Sequence, residues 1–215
     1  AASGTPSSFT TRLYVDAGYY FNIYNDFIGY NIGVTLPFES VEIFPGTSVN
    51  LPLWKQLEVY RVASNASQKV TSQGVAIGLN YYFLDYFMVQ GNYSWNQLNT
   101  AETDPIVPAF NTPEHKFNIG FSGRDIKTWR KNTLGFMINY KWIETFTFEG
   151  SPQFTGIIPS YSLLDAQVNL NVSKLHSTIK LGASNLLNNK QFQTYGGPRI
   201  GRMAYLSLVY DFRKK

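Results

Sequence analysis

The sequence predicts an all-β, antiparallel transmembrane β-barrel, and three observations lead to this prediction. Segments of about ten residues alternate between apolar and polar side chains, as expected of a strand that separates lipid from water. Charged residues make up only 15% of the 215 residues and aromatic residues make up 16%, whereas soluble domains carry about 25% charged residues. No run of about 18 apolar residues occurs, which excludes a membrane-spanning helix.

The alternation is clearest between residues 159 and 212, where three segments each present one wholly apolar face. These faces consist of Leu164, Ala166, Val168, Leu170 and Val172; Ile179, Leu181 and Ala183; and Ala204, Leu206, Leu208, Tyr210 and Phe212. A soluble β-sandwich would accept the same repeat, but its strands are usually shorter, about five or six residues. Eight strands with such long apolar faces would also leave more apolar surface than one small sandwich can cover.

Five further strands precede these three. They are predicted at 9–28, 57–83 with a bulge near 64–67, 87–96, 117–121 and 134–142. Long connections are predicted at 31–54, which we interpret as a loop because of its Gly and Pro residues, and at 98–113, 145–160 and 187–199. Short connections at 84–85, 123–131 and 173–176 alternate with them. Outer-membrane barrels place long loops outside and short turns in the periplasm.

Composition narrows the function classes. The formal net charge of +4 is small and scattered, so no nucleic-acid partner is expected. Cysteine is absent from the sequence, which removes disulfide frameworks and thiolate metal sites. The chain begins without a charged region followed by an apolar one, and we therefore expect a mature protein or a fragment.

Motifs along the chain resemble the carboxy-terminal barrel of TonB-dependent outer-membrane receptors. The segments that carry the resemblance are SYSLLDAQVNL from Ser160, IKLGASNLLNNKQF from Ile179 and GRMAYLSLVYDF from Gly201, with SNASQKVTSQGVAIGLNYYF from Ser64 and FNTPEHKFNIGF from Phe110. The family positions map onto Tyr161 and Asp165; Gly182, Asn185 and Leu186; and Gly201, Arg202 and Phe212. Unlike many family members, which end at the final aromatic residue, this chain continues with three basic residues.

The resemblance implies that residues 1–215 are the carboxy-terminal segment of a receptor, about eight strands of a larger 22-stranded barrel. The plug domain and the amino-terminal strands would be absent from this segment. The whole protein would be an active transporter in the outer membrane of a Gram-negative cell, binding and importing a siderophore, cobalamin, a glycan or a similar scarce nutrient. Expected partners are outer-membrane lipid, the rest of the barrel and plug, the TonB energy-coupling complex, and a surface lipoprotein as a further candidate.

Five aromatic residues in the long loops are candidate ligand contacts, because aromatic rings stack on sugars and on siderophores. They are Trp54, Phe110, Phe148, Phe154 and Tyr195. The competing interpretation, which we weight more heavily, is that these rings rest on one another at the membrane rim. Asp165 and Arg202 are expected to be lumen-facing wall residues, paired with neighbours or with a plug.

We predict no catalytic, cofactor-binding or metal-binding residues. His115 and His176 are about sixty residues apart and lack a matching carboxylate spacing, so structural histidines are favoured over metal ligands. Gly196, Gly197 and Gly201 lack the strand-turn-helix context of a dinucleotide loop. Glycosylation triplets occur at Asn65 and Asn92, but a bacterial outer-membrane barrel disfavours their use.

Two alternatives stay open at this point. The first is a self-contained eight-stranded barrel with an anchoring role, whose interior would be filled by side chains and whose first and last strands would pair. The second is a small lipid-modifying barrel enzyme, which would need His115 or His176 beside a Ser and a carboxylate.

Overall fold

The computed structural model describes residues 11–99, 110–150 and 154–212. Its strands are β1 (Arg12–Tyr24), β2 (Ile28–Thr35), β3 (Phe38–Phe44), β4 (Thr47–Pro52), β5 (Glu58–Asn65), β6 (Val70–Phe83), β7 (Phe87–Asn99), β8 (His115–Lys127), β9 (Thr133–Ile143), β10 (Phe146–Phe148), β11 (Gly156–Ile158), β12 (Tyr161–Val172), β13 (Ser177–Ser184) and β14 (Met203–Tyr210). Short 3-10 turns occupy Trp54–Gln56, Trp129–Lys131 and Ser173–Leu175. Among these residues, no helix combines the length and the apolar character that a membrane crossing requires.

Eight of the strands form one antiparallel sheet, and their order confirms the predicted fold class. The order is β1, β6, β7, β8, β9, β12, β13, β14, so each strand of the sheet lies beside the next one along the chain. A self-contained eight-stranded barrel would pair β1 with β14. Within the described residues β1 pairs with β6 and β14 pairs with β13, so the sheet is open and this expectation of the anchoring alternative is not met.

The strand register aligns the apolar faces of all eight strands. Opposed pairs include Val15 with Leu79, Tyr93 with Phe117, Phe121 with Ile138, Val168 with Leu181, and Leu181 with Leu206. Leu206 is 75% exposed and Ile138 is 45% exposed, so this face is not the core of a water-soluble body. In the described part of the chain, only Ala66, Val70, Ile143, Ile158 and Tyr161 are buried apolar residues.

Aromatic rings gather at both ends of the apolar face. Toward the short turns, Phe87 stacks on Phe83 and Phe121 with ring centroids 5.6 and 5.8 Å apart. Toward the long connections, Phe117 stacks on Trp142 at 5.5 Å. Eight residues separate Phe87 from Trp95 along β7, which at about 3.3 Å per residue spans roughly 26 Å. This length suits the apolar band of about 25 Å that outer-membrane barrels present to lipid.

Two of the three short turns, 84–85 and 173–176, lie where the alternation places them, whereas the predicted connection 123–131 is shorter because β8 continues through its bulge to Lys127. Phe83 pairs with Phe87, and the chain reverses through Leu84 and Asp85, whose φ angles are 51° and 56°. The turn at 173–176 likewise ends in a left-handed residue, His176, with φ of 46°. Arg12 starts β1 at this end and Tyr210 finishes β14 at this end, opposite Tyr82 and Ser177 respectively.

Three further differences from the sequence prediction concern the connections outside the short turns. Residues 31–54 are not a loop. Strands β3 and β4 form a hairpin between β2 and β5, which pair with each other. Both pairs lie outside the main sheet. The predicted strand 57–83 is therefore two strands, β5 and β6, separated at 66–69. Connection 145–160 contains the small hairpin β10–β11. Phe9 of the first predicted strand and most of loop 98–113 lie outside the described residues.

Candidate functional site in the outer loops

The last long connection is fastened to the sheet by Asn185, a residue of the G-x-x-N-L motif. Asn185 is 6% exposed and adopts a left-handed backbone with φ of 51°. Its side-chain amide donates to the carbonyls of Asn189 and Ile200 at 2.9 and 3.2 Å, and its side-chain oxygen accepts from the Asn189 amide at 2.8 Å. Its own backbone N–H donates to Asp165 Oδ1 at 2.8 Å. Both ends of the connection are therefore tied to one side chain.

Neighbouring polar groups complete this anchor. Asn189 donates its side-chain amide to the Ser162 carbonyl at 2.9 Å, which bridges the loop to β12. The backbone N–H of Arg202 donates to Asn188 Oδ1 at 3.0 Å, and its guanidinium donates to the Leu186 carbonyl at 3.3 Å. Arg202 was expected to be a lumen-facing wall residue, but it precedes β14 and holds the loop instead.

Hairpin β10–β11 folds over the lumen side of the sheet. Ile158 is fully buried and packs with Ile143 and Tyr161. In their strands, Ile143 and Tyr161 alternate with the apolar, outward-facing positions, so they point to the opposite face. The partly buried rings of Phe146, Phe148 and Phe192 pack on the same cluster. This connection therefore covers the inner wall with a small apolar core.

Phe154 and Tyr195 join two long connections through glycines. The ring of Tyr195 covers Gly156, and the ring of Phe154 covers Gly196; a Cβ atom at either glycine would overlap the ring. Gly196 also has a φ of +75°, a conformation that glycine adopts without steric cost. Each ring therefore lies over a glycine of the other's connection. Phe154 remains 51% exposed and Tyr195 remains 37% exposed.

Contacts of Arg61 and Asn111 link the connections that contain Phe154 and Tyr195 to the other two long connections. The Arg61 guanidinium lies over the Tyr30 ring, 3.5 Å from its centroid, and donates to the Gly150 carbonyl. Asn111 and Glu149 exchange two bonds: the Asn111 amide donates to the Glu149 carbonyl at 3.1 Å, and the Glu149 N–H donates to Asn111 Oδ1 at 2.6 Å. All four long connections are thereby linked through 149–150 and 195–196. We call this assembly the loop crown.

The structure brings together three of the five predicted contact residues. Phe148, Phe154 and Tyr195 share the loop crown, and Phe110 lies beside its member Asn111. Trp54 is separate: it is 69% exposed on the 3-10 turn between β4 and β5. The sequence pattern does not reveal Arg61, Tyr30 and Asn111, because each of them contacts a residue that is distant in sequence. A second cationic contact that it missed places Arg199 4.3 Å from the Phe192 ring centroid.

The histidines lie at opposite ends of the sheet. Tyr93 Oη is 2.7 Å from His115 Nδ1, and the two rings stack with centroids 6.0 Å apart. The backbone N–H of His115 donates to Glu144 Oε2 at 2.9 Å. His176 occupies a short turn. Within the described ranges, no group of three or more His, Cys, Asp or Glu residues could hold a metal ion.

The inner wall below the loop crown forms a polar hollow of about 610 Å³. Its lining includes Asp16, Asn80, Gln90, Asn118, Asn139 and Asp165. Several polar side chains lie flat across a glycine of the adjacent strand: Asp16 over Gly78, and Gln90 over Gly120. These glycines keep the wall thin, which leaves room inside the sheet for another part of a protein or for a solute.

Replacing Gly196 with alanine is expected to release Phe154 and loosen the loop crown. The new methyl group would occupy the position of the ring, and the residue would also be strained at positive φ. Hydrogen exchange of amides in 154–158 and 185–200 should become faster. Gly46 is the matched control, because its φ is +83° but nothing lies within 4 Å of a Cβ there. If G46A and G196A loosened the crown equally, the ring contact would contribute nothing.

The family model described as TonB dependent receptor-like, beta-barrel matches residues 7–186. Neither a curated protein nor a solved structure matches the chain.

Proposed function

Because the chain belongs to the TonB-dependent receptor-like β-barrel family, and is thus an outer-membrane protein, we propose that it forms the carboxy-terminal part of an active transporter. The complete receptor binds a scarce nutrient at its outer loops and imports it when energy is transmitted through the TonB complex. A plug and further strands, supplied by the amino-terminal part of the same protein, complete the 22-stranded barrel. The segment 1–215 contributes wall and outer loops and carries out no bond-making chemistry.

The observation that carries this proposal is the combination of an open, one-face-apolar sheet with a crown of joined loops at one end. The unpaired outer edges of β1 and β14 in the described residues suit continuation of the wall by further strands, because unpaired backbone groups are costly in lipid. The loop crown supplies half-exposed rings at the mouth of the bore. Such rings suit a siderophore, cobalamin, a glycan or a similar nutrient, and a surface lipoprotein would be an additional partner at this end.

Transport assays test the proposal. Cells that lack the receptor and cells that express its full-length gene are compared for uptake of labelled ferric chelates, cobalamin, oligosaccharides and peptides. We expect one class to accumulate only in expressing cells, and accumulation to stop when TonB is deleted or the proton gradient is dissipated. Uptake that continued at full rate without TonB would contradict active transport.

Alanine at Phe154 or Tyr195 is expected to weaken binding of the transported ligand about two- to tenfold. Each ring offers an exposed stacking surface, and stacking interactions between rings contribute about 0.5–1.5 kcal/mol beyond the area they bury. Binding to the purified receptor is measured by fluorescence quenching or calorimetry. Trp129→Ala is the control, because Trp129 is 65% exposed but lies in a short turn at the other end of the sheet. Equal losses for all three variants would exclude a specific role for the crown.

A further inference from the structure

Two neighbouring short turns carry a concentration of positive charge that the proposed function does not involve. Residues 126–132 and 173–176 contain four Lys or Arg residues and no acidic residue, and Arg124 and Asp125 just before them offset each other. Exposed apolar side chains accompany these cations. We call this surface the basic rim. It consists of Lys127, Trp129, Arg130, Lys131, Lys174 and Leu175, all of which are exposed.

The charge of the basic rim is available to a partner outside the chain. Across the described residues, none of its four cations has an ion pair or a side-chain hydrogen bond. Trp129 is 65% exposed and Leu175 is 62% exposed, so apolar surface lies beside the free cations. A partner that matches this surface therefore combines negative charge with an apolar part.

Hydrogen bonds join the two turns into one surface. The backbone N–H of Ser173 donates to Asn132 Oδ1 at 3.2 Å, and the Ser173 hydroxyl donates to the Lys131 carbonyl at 2.5 Å. Asn132 is only 8% exposed. The N–H and the hydroxyl of Thr128 both donate to the Asn132 carbonyl at 3.0 Å, which closes the first turn. The cations of both turns are thus held together and do not lie on independent loops.

The first turn also has an unusual backbone. Arg130 and Lys131 have φ angles of 56° and 63°, in the left-handed region that residues other than glycine seldom adopt. Such a conformation persists only where its surroundings fix it, and it is commonest at functional positions. Here the hydrogen bonds of Thr128, Asn132 and Ser173 fix it, and the result is that two adjacent cations are both exposed.

The basic rim begins where the lipid-facing apolar side of the sheet ends. Ile126 is opposite Leu134, and Leu134 is opposite Leu170, which forms the last apolar row across β8, β9 and β12. Lys127 follows Ile126 directly. Lys131 is three residues from Leu134, at most about 10 Å at about 3.3 Å per residue. Because the headgroup layer begins where the hydrocarbon ends, the basic rim lies at the level of the headgroups.

The composition of the basic rim matches this level of the membrane. Tryptophan concentrates at membrane interfaces, and Lys side chains keep their apolar stems on apolar surface while the charged end extends into a polar layer. Clusters of Lys and Arg at a membrane surface attract anionic lipids. Because short turns of outer-membrane barrels lie on the periplasmic side, the adjacent lipids are those of the periplasmic leaflet.

We propose that the basic rim binds the headgroups of anionic phospholipids, such as phosphatidylglycerol, in the periplasmic leaflet. Two observations identify this occupant: the rim is continuous with the lipid-facing side of the sheet, and its charge is complementary to a phosphate. A soluble anion would meet the cations but would gain nothing from Trp129 and Leu175. Bound headgroups would fix the depth of this part of the barrel wall in the membrane.

Native mass spectrometry of the full-length receptor tests this inference. The detergent-purified receptor is titrated with phosphatidylglycerol, which is anionic, and separately with phosphatidylcholine, which has no net charge. We expect phosphatidylglycerol to bind at least tenfold more tightly, and the preference to shrink as ammonium acetate is raised, because salt screens exposed charges. Equal affinity for the two lipids would overturn the inference.

A triple variant tests whether the preference comes from the basic rim. R130S/K131S/K174S should weaken phosphatidylglycerol binding at least tenfold, since each basic residue near an anionic surface contributes on the order of fivefold. Folding is checked by heat-modifiable electrophoretic mobility. Undiminished binding of phosphatidylglycerol to the folded variant would refute the assignment.

A matched variant removes the same number of cations from the other end of the sheet. K55S/K69S/K190S affects three exposed lysines of the outer connections and should leave the lipid preference unchanged. An equal loss in both triple variants would mean that net charge alone determines binding, and the inference would fail.

A soluble competitor separates a lipid site from a general anion site. Glycerophosphoglycerol, the same headgroup without acyl chains, should not displace phosphatidylglycerol at equal concentration; displacement would identify a soluble anion as the occupant and overturn the proposal. The inference depends on the outer-membrane location and not on transport. A receptor that imports nothing but prefers phosphatidylglycerol refutes only transport, and one that imports its nutrient without this preference refutes only the basic rim.

Discussion

Replacing Asn185 with alanine is expected to destabilise the last outer connection by about 4–5 kcal/mol, the largest effect of any single side-chain truncation in the loop crown. The variant loses three side-chain hydrogen bonds, each worth about 1 kcal/mol. Alanine must also keep a left-handed backbone, at a cost of about 1–2 kcal/mol. Opening of the loop should therefore be favoured by at least a hundredfold, since each 1.4 kcal/mol is about a factor of ten.

Hydrogen exchange measures this opening at three amides. The acceptors of Asn185, Leu186 and Asn189 are Asp165 Oδ1, the Leu164 carbonyl and Asn185 Oδ1. All three amides should exchange faster in N185A. Asn185→Gly separates the causes, because glycine relieves the backbone strain but still lacks the hydrogen bonds; we expect it to recover only about 1 kcal/mol. Asn50→Ala on the exposed strand β4 is the control and should leave the exchange of these three amides unchanged. Wild-type exchange in N185A would refute the anchoring role.

The sheet could be predicted from the sequence because the alternation that defines its strands involves residues close together in the chain. A two-residue repeat assigns each side chain to a face, and the lipid-facing side must be apolar along its whole length. The ladder then follows: Val15 meets Leu79 and Phe121 meets Ile138, since any slip by one residue would turn the polar face toward lipid. The same argument placed the short turns at 84–85 and 173–176, but it ended β8 too early, because the bulge between Gly123 and Ile126 interrupts the alternation inside that strand.

The prolines are the reason why residues 31–54 were wrongly predicted to be a loop. Proline disrupts the interior of a ladder but is tolerated at its ends. Here Pro37 lies between β2 and β3, Pro45 lies beside Gly46 in the turn of hairpin β3–β4, and Pro52 is the last residue of β4. All three therefore mark strand boundaries, and the intervening segments could form hairpins. The positive φ of Gly46 fits a tight turn of this kind.

The loop crown could be predicted only in part. An abundance of loop aromatics indicated the candidate contacts, but the packing of Phe154 on Gly196 joins residues about forty positions apart. No periodic signal specifies such a contact. The motif residue Asn185 was recognised by resemblance, whereas its role as a clamp became visible only from its acceptors at 189 and 200. Phe154 and Tyr195 lie over glycines of each other's connection and keep exposed surface as well, and their role as ligand contacts stays a prediction.

Replacing Ile138 with arginine is expected to cost about 2–4 kcal/mol of barrel stability, the cost of a basic side chain at the bilayer midplane. Ile138 is the central residue of β9, is 45% exposed, and lies between Phe121 and Ala166 on the apolar face. Asn139→Arg is the control, because Asn139 faces the lumen and lies directly opposite Asp165, whose carboxylate accommodates a cation.

Urea unfolding of the full-length receptor in phospholipid vesicles measures both variants. We expect I138R to lower the unfolding midpoint strongly and N139R to stay within about 1 kcal/mol of wild type, as is usual for substitutions at polar, accessible positions. If N139R were the more damaging of the two, the assignment of lipid and lumen faces would be reversed.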